Sequence, residues 1–174
     1  ADRIVSSGGI VIMGETLEWL GVENDLAKRA VSYDVGTQIK KSVLRREKLA
    51  IDNGINLLGI NPNKKNIEDG ISTIEEKAIG SSTKSGKSKI EGILEYGQSP
   101  TNHGLWLMDA PSYTPESLTG FSSAGSQICI FSTGSGNCYS SDLMPTIRIT
   151  ANPETASRLG HQIDHNCSDL IRNG

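Results

Sequence analysis

Apolar positions along the chain fall into two alternating kinds of pattern. Ile10 to Met13 is a continuous apolar run between glycines, which predicts a strand buried on both faces in the middle of a parallel sheet. Helical spacing follows in Leu26, Ala27, Ala30 and Val31 and again in Ile39, Val43 and Leu44. Lys40, Lys41, Arg45 and Arg46 stand on the polar side, and Asn53-Gly54 makes the stop. Residues 61–66 hold turn formers and no apolar side chain, so a surface loop is expected there. Ile71, Ile74, Ala78 and Ile79 predict a second helix closed by Gly80, with a loop of serines and lysines after it. Residues 89–96, 105–108, 128–131 and 146–150 predict strands, and Pro115-Glu116-Ser117 opens a further helix. Strands alternating with helices predict an α/β fold, a three-layer Rossmann-like domain with a mainly parallel sheet.

Composition narrows the class. The 174 residues are 36% hydrophobic and 21% charged, enough to bury one ordinary core, and a single domain over residues 1–174 is expected. A formal net charge of -3 offers no basic field for nucleic acid or anionic lipid, and the longest early apolar run is far too short to span a bilayer. Neither nucleic acid nor membrane is an expected partner, and the expected location is cytoplasmic. Cys129, Cys138 and Cys167 lack paired zinc-ligand spacing and are an odd number, which predicts reduced thiols. The chain starts at Ala1 and enters a hydrophobic strand almost at once, the expectation being a fragment of a longer protein.

Four clusters carry candidate chemistry. The stretch from Gly80 to Ser88 looks like a phosphate-binding P-loop, but it has five residues between its glycines where the motif needs four. It also follows a helix and precedes a strand, the reverse of what the motif requires, so an ATPase is rejected. Its lysines still suit an anionic substrate. Thr133, Gly134, Ser135, Gly136 and Asn137 form a Gly-rich turn directly after an apolar strand, where open α/β sheets bind ligands; an ordinary turn is the alternative. His161 and His165, with Asp164 and Cys167 beside them, are spaced to share a helical face and bind a metal, or are simply surface histidines. Glu15, Glu18 and Glu23 are either a solvated helix face or a source of a base and metal ligands.

Several segments match one family in order. Gly14-Glu15-Thr16-Leu17-Glu18-Trp19 through Glu23, Asn61-Pro62, Ile74-Glu75-Glu76-Lys77-Ala78-Ile79-Gly80 with Lys84-Ser85-Gly86, Gly104-Leu105 through Met108-Asp109-Ala110-Pro111, Thr119-Gly120 with Ala124-Gly125, Phe131 through Gly136, Pro145-Thr146-Ile147, and Ile163-Asp164 with Asn166 are collinear with its motifs. The chain thus resembles the carboxy-terminal part of the altronate and galactarate dehydratase family. Ser135 stands where that family has arginine. Gly136-Asn137 and Ala151-Asn152-Pro153 look more like its sulfolactate sulfo-lyase branch.

The resemblance implies a sugar-acid hydro-lyase that turns an aldonate or aldarate into a 2-keto-3-deoxy acid. The alternatives are a sulfo-lyase on a sulfonated hydroxy acid, or a non-catalytic assembly domain. It implies Glu15, Glu18, Glu76 and Lys77 as catalytic groups, because they sit in its best-matched motifs, with Lys84 and the residues Thr133, Gly134, Ser135, Gly136 and Asn137 receiving the substrate. An exposed helical charge face stands as the alternative for the first four. The implied partners are the sugar acid and the upstream part of the same enzyme, with a homo-oligomer allowed. The implied cofactor is a divalent metal, iron foremost, in the full-length enzyme, with ligands unassigned and none held tightly by this chain alone.

Overall fold

The computed structural model describes residues 1–57, 62, 64–68 and 70–172. The chain divides into two compact units, Ala1–Ala124 and Gly125–Gly174. Each unit builds its own three-stranded parallel sheet. The α/β class and the mainly parallel pairing agree with the sequence.

The first unit is organised by its central strand. Helix α1 (Asp2–Ser6) precedes β1 (Ile10–Met13), so the chain opens on a helical turn and not directly on a strand. A 3-10 turn (Thr16–Trp19), α2 (Glu23–Lys28), α3 (Tyr33–Asp52), α4 (Lys64–Glu68) and α5 (Ile74–Thr83) follow. Then come β2 (Ile90–Leu94), β3 (Gly104–Met108) and α6 (Thr114–Ser123). β3 lies between β1 and β2, parallel to both, and every residue in it is buried. Because side chains alternate across a strand, Leu105 and Leu107 pack to one face with Trp19, Leu26, Ile39, Val43 and Ala78. Trp106 and Met108 pack to the other with Leu94, Ala110, Ala124 and the α6 residue Phe121. Helices therefore cover both faces. A register shift between Ile90 and Gly92 sends Ile90 and Leu94 to opposite cores, and Gly92 leaves the space that the Trp106 ring fills.

Several boundaries differ from the sequence reading. β1 is an edge strand with Ile10 exposed, not a central one: the role its continuous apolar run suggested belongs to β3. The helical pattern from Leu26 to Asn53 breaks after Lys28, where Ala30 bridges to Ile90, and Ser32 starts α3 by accepting from the Val35 amide at 3.3 Å. Gly80 does not close its helix. α5 runs through it to Thr83, and the positive-φ residue after the helix is Gly86. The expected surface loop at 61–66 contains a buried Pro62 and the start of α4, while Asn61 and Asn63 lie outside the described residues.

In the second unit β4 (Cys129–Ser132), β5 (Thr146–Thr150) and β6 (His165–Asn166) pair in that order, with α7 (Pro153–Arg158) after β5 and α8 (Ser168–Arg172) at the end. β4 was expected as a buried strand at 128–131. It is an edge strand shifted by one residue, with Ile128 and Ile130 both exposed. Asn152 opens α7 by accepting from the amides of Glu154 and Thr155. Among the described residues no helix is long and apolar enough to cross a membrane.

Candidate active site

The carboxyl ends of β1 and β3 are adjacent, and the residues leaving them interlock. Gly14 follows β1 where a Cβ would stand 2.6 Å from the Phe121 ring, so glycine is the residue that fits. Glu15 comes next at φ 66 and ψ 65, the one left-handed non-glycine among the described residues. Such a conformation costs about 1–3 kcal/mol and persists only where the surroundings enforce it. Thr16, fully buried, supplies part of that enforcement. Its amide donates to Ala110 O at 3.1 Å, its hydroxyl donates to Asp109 Oδ1 at 2.9 Å, and the same oxygen accepts from the Ala110 amide at 3.0 Å.

The 3-10 turn carries Glu18 toward α5. Lys77 Nζ lies 3.0 Å from Glu18 Oε1, and Ser81, one helical turn further on, donates from its hydroxyl to Glu18 Oε2 at 3.0 Å. The Glu15 carbonyl accepts from the Glu18 amide at 2.8 Å, but its carboxyl has no hydrogen-bond partner among the described residues. Burial pushes its carboxyl above the usual range and the charge of Glu18 adds to the rise, while Lys84 and Lys77 pull it back. Four of the expected residues, Glu15, Glu18, Lys77 and Lys84, thus form one electrostatic group.

Glu76 plays another part. Its Oε2 accepts from the amide and the hydroxyl of Ser72, both at 2.8 Å, and its amide donates to Thr73 Oγ1 at 3.1 Å. This capping arrangement at the start of α5 holds its carboxyl below the ordinary value, chiefly through the Ser72 amide. Glu23 likewise leaves the acidic trio to accept from the Gly21 amide at 2.7 Å.

Asp109, Arg45 and Arg46 are the site residues that sequence reasoning passed over. Asp109 directly follows the central strand, buried, with Arg46 Nε 2.6 Å from its Oδ1 and Arg45 Nη2 on its Oδ2. Arg46 Nη2 also donates to the Asp109 carbonyl at 3.0 Å. The two arginines and Thr16 hold the Asp109 carboxyl below its usual range against the opposing effect of burial, which is the largest single influence. An aspartate directly after an all-apolar strand was the available signal; the arginines looked like part of a solvated helix face.

The Gly-rich turn in the second unit does follow the carboxyl end of its strand. Thr133 Oγ1 accepts from the Gly136 amide at 3.0 Å, and Asn137 Oδ1 from the Tyr139 amide at 2.9 Å. α7 pins the turn from one side: Thr155 Oγ1 donates to Gly134 O at 2.7 Å and Arg158 Nη2 to Ser135 O at 3.1 Å. Gly136 sits at φ +100, with Leu159 occupying the space a side chain would need.

The terminal cluster does not form a helical metal site. His161 lies in a turn, His165 in β6, and Asp164 accepts from the Arg148 amide at 2.7 Å. No group of three or more His, Cys, Asp or Glu side chains among the described residues is arranged to hold a metal. Glu18 and Asp109 are already neutralised by cations, so the described residues by themselves do not fit the divalent ion that the resemblance implies. The P-loop-like stretch begins inside the last turn of α5 and ends just before β2, so a helix leads into it and a strand follows. Its Lys87 and Ser88 amides, each 2.9 Å away, and the Ser88 hydroxyl at 2.6 Å bind the Asp2 carboxylate.

Known proteins are similar to this chain over nearly its whole length. It is 34% identical over 174 residues to the (2R)-sulfolactate sulfo-lyase subunit beta of Chromohalobacter salexigens, an alignment covering 98% of this chain and 44% of that protein. It is 30% identical over 177 residues to altronate dehydratase of Bacillus subtilis, covering 98% of this chain and 34% of the relative. With galactarate dehydratase (L-threo-forming) of Escherichia coli it shares 31% over 174 residues, 98% of this chain and 32% of the relative. The chain therefore spans less than half the length of these relatives. Residues 1–174 match in full the family described as D-galactarate/altronate dehydratase, C-terminal, and the chain belongs to that family.

Proposed function

We propose that this chain supplies proton-transfer groups to a hydro-lyase that dehydrates an aldonate or aldarate to a 2-keto-3-deoxy acid, as the carboxy-terminal part of that enzyme. The observation that carries the reading is Glu15: a desolvated carboxyl on a strained backbone, without a hydrogen-bond partner among the described residues, beside the Glu18–Lys77 pair. A carboxyl raised toward neutral pH accepts a carbon-bound proton more readily than an ordinary one. In the proposed step Glu15 takes the proton next to the substrate carboxylate and hands it to the β-hydroxide, which departs as water. The enol left behind tautomerises to the keto acid. Lys77 and Lys84 offset the negative charge that builds on the substrate as the proton leaves. Altronate and galactarate dehydratases among the relatives support the substrate class, and the full set of active-site groups is assigned to the longer enzyme.

A second reading has its own support. The 34% identity to a sulfo-lyase subunit, together with Ser135 in place of arginine, favours sulfite as the leaving group after the same proton abstraction. Incubating the full-length enzyme with altronate, galactarate and sulfolactate separates the two. A 2-keto acid without sulfite supports the dehydratase, sulfite release supports the second reading, and neither product from any of the three contradicts both.

A further inference from the structure

We infer that Asp109 is a positioning residue for Glu15, acting through Thr16 and held in place by Arg45 and Arg46. The inference rests on the proposed role of Glu15 as the proton carrier. A carboxylate only 2% exposed needs its charge compensated, and three side chains from two elements supply that. The Asp109 amide donates to Leu94 O at 2.9 Å, so the group is also tied to the end of β2. Thr16 is consequently fixed at three points, one on Asp109 and two on Ala110. On the other side of Glu15, Gly14 is pressed against Phe121 with no room for a side chain.

With both neighbours fixed, residue 15 must carry the change of direction, and it does so in the left-handed conformation. That turn keeps the Glu15 carboxyl in the partly buried space facing Glu18 from the 3-10 turn, Lys77 from α5 and Lys84 from the end of α5. The arginines serve as the outer brace. Arg46 is spent on both the carboxylate and the carbonyl of Asp109, while Arg45, 58% exposed, closes the second carboxylate oxygen and lies 3.7 Å from Glu95. Loosening the brace frees Thr16, lets Glu15 leave the left-handed region, and moves its carboxyl toward water.

The test uses the full-length enzyme and the pH dependence of kcat/KM, whose acidic limb reports ionisation of the proton carrier. Thr16→Val removes the hydroxyl at nearly constant shape; Arg45→Lys keeps the charge but loses the guanidinium fork. Thr16→Val is expected to lower kcat about 10- to 100-fold with little change in KM, and to move the acidic limb to lower pH. Arg45→Lys should move the limb the same way by less, and Thr16→Ser should restore both. A purely structural role would lower the folded fraction and leave the limb unmoved, and that result overturns the proposal. Should Thr16→Val not fold, Arg45→Lys decides on the limb alone. Glu15→Gln separates the two levels: activity in that variant removes the proton carrier itself, whereas its inactivity with an unmoved limb in the other variants overturns only the positioning.

Discussion

Lys77 stands 3.0 Å from Glu18 and at the same time favours the charged form of Glu15, so one ammonium serves two carboxylates. Glu18 is an ion-paired, hydrogen-bonded acceptor; Glu15 is not. Replacing Lys77 by Gln is expected to move the acidic limb of kcat/KM upward, because a cation that favours the charged form of Glu15 has gone. The accompanying loss in kcat should be about 10²- to 10³-fold, the usual range for one group that stabilises developing negative charge. A pH–rate series on the full-length enzyme reads both.

Gly136→Ala should destabilise the second unit. The position combines φ +100 with Leu159 in the path of any Cβ, and the turn is held by three hydrogen bonds to Thr133, Thr155 and Arg158. A cost of about 1–3 kcal/mol is expected from the backbone conformation, measured as a lowered midpoint in urea. A Gly134→Ala variant, with open space around the position and no positive φ, is the matched control and should be near neutral.

Asp2 gives a pH dependence whose sign follows from its partners. The Ser88 hydroxyl and then the Lys87 and Ser88 amides lower its carboxyl to about 2 from an ordinary 3.8. A depressed folded value means that the anchorage is complete above the unfolded value and disappears as pH falls through the folded one. Protection of the Lys87 and Ser88 amides in hydrogen exchange should therefore persist to about pH 4 and be lost toward pH 2. The Asp2→Asn variant should lack that protection at every pH.

Much of this organisation was legible in the chain. The all-apolar run at Leu105–Met108 gave a strand, though not its central place, and helical spacing gave α3 and α5, because burial on both faces or on one stripe leaves a direct pattern. Edge positions were not legible. Ile10 to Met13 and Ile130 are as apolar as buried strands, yet pairing partners decide exposure, and these come from distant sequence. Glu15, Glu18, Lys77 and Lys84 were proposed through motif resemblance, and only the fold shows that they form one electrostatic group. Glu76 was chosen from the same motif and turned out to cap a helix, a role written locally in Ser72-Thr73. Asp109, Arg45 and Arg46 were missed since the contact spans more than sixty residues of chain, and nothing in their spacing announces it.

The isolated chain is expected to show no turnover, given that it spans 32–44% of its relatives' lengths and its described residues include no arranged set of metal ligands. Purified residues 1–174, assayed beside the full-length enzyme and analysed for metal after dialysis, should give neither keto acid nor a stoichiometric ion. Activity comparable to the whole enzyme would show that the missing portion is dispensable.

The most direct measurement is kcat for Glu15→Gln in the full-length enzyme, on whichever of altronate, galactarate or sulfolactate it converts. The amide keeps nearly the same size and cannot carry the proton. The account predicts a fall of about 10²- to 10⁴-fold with KM changed far less. A Glu15→Gln enzyme that turns over within about twofold of the wild type, a difference well under the tenfold that 1.4 kcal/mol represents, would contradict it.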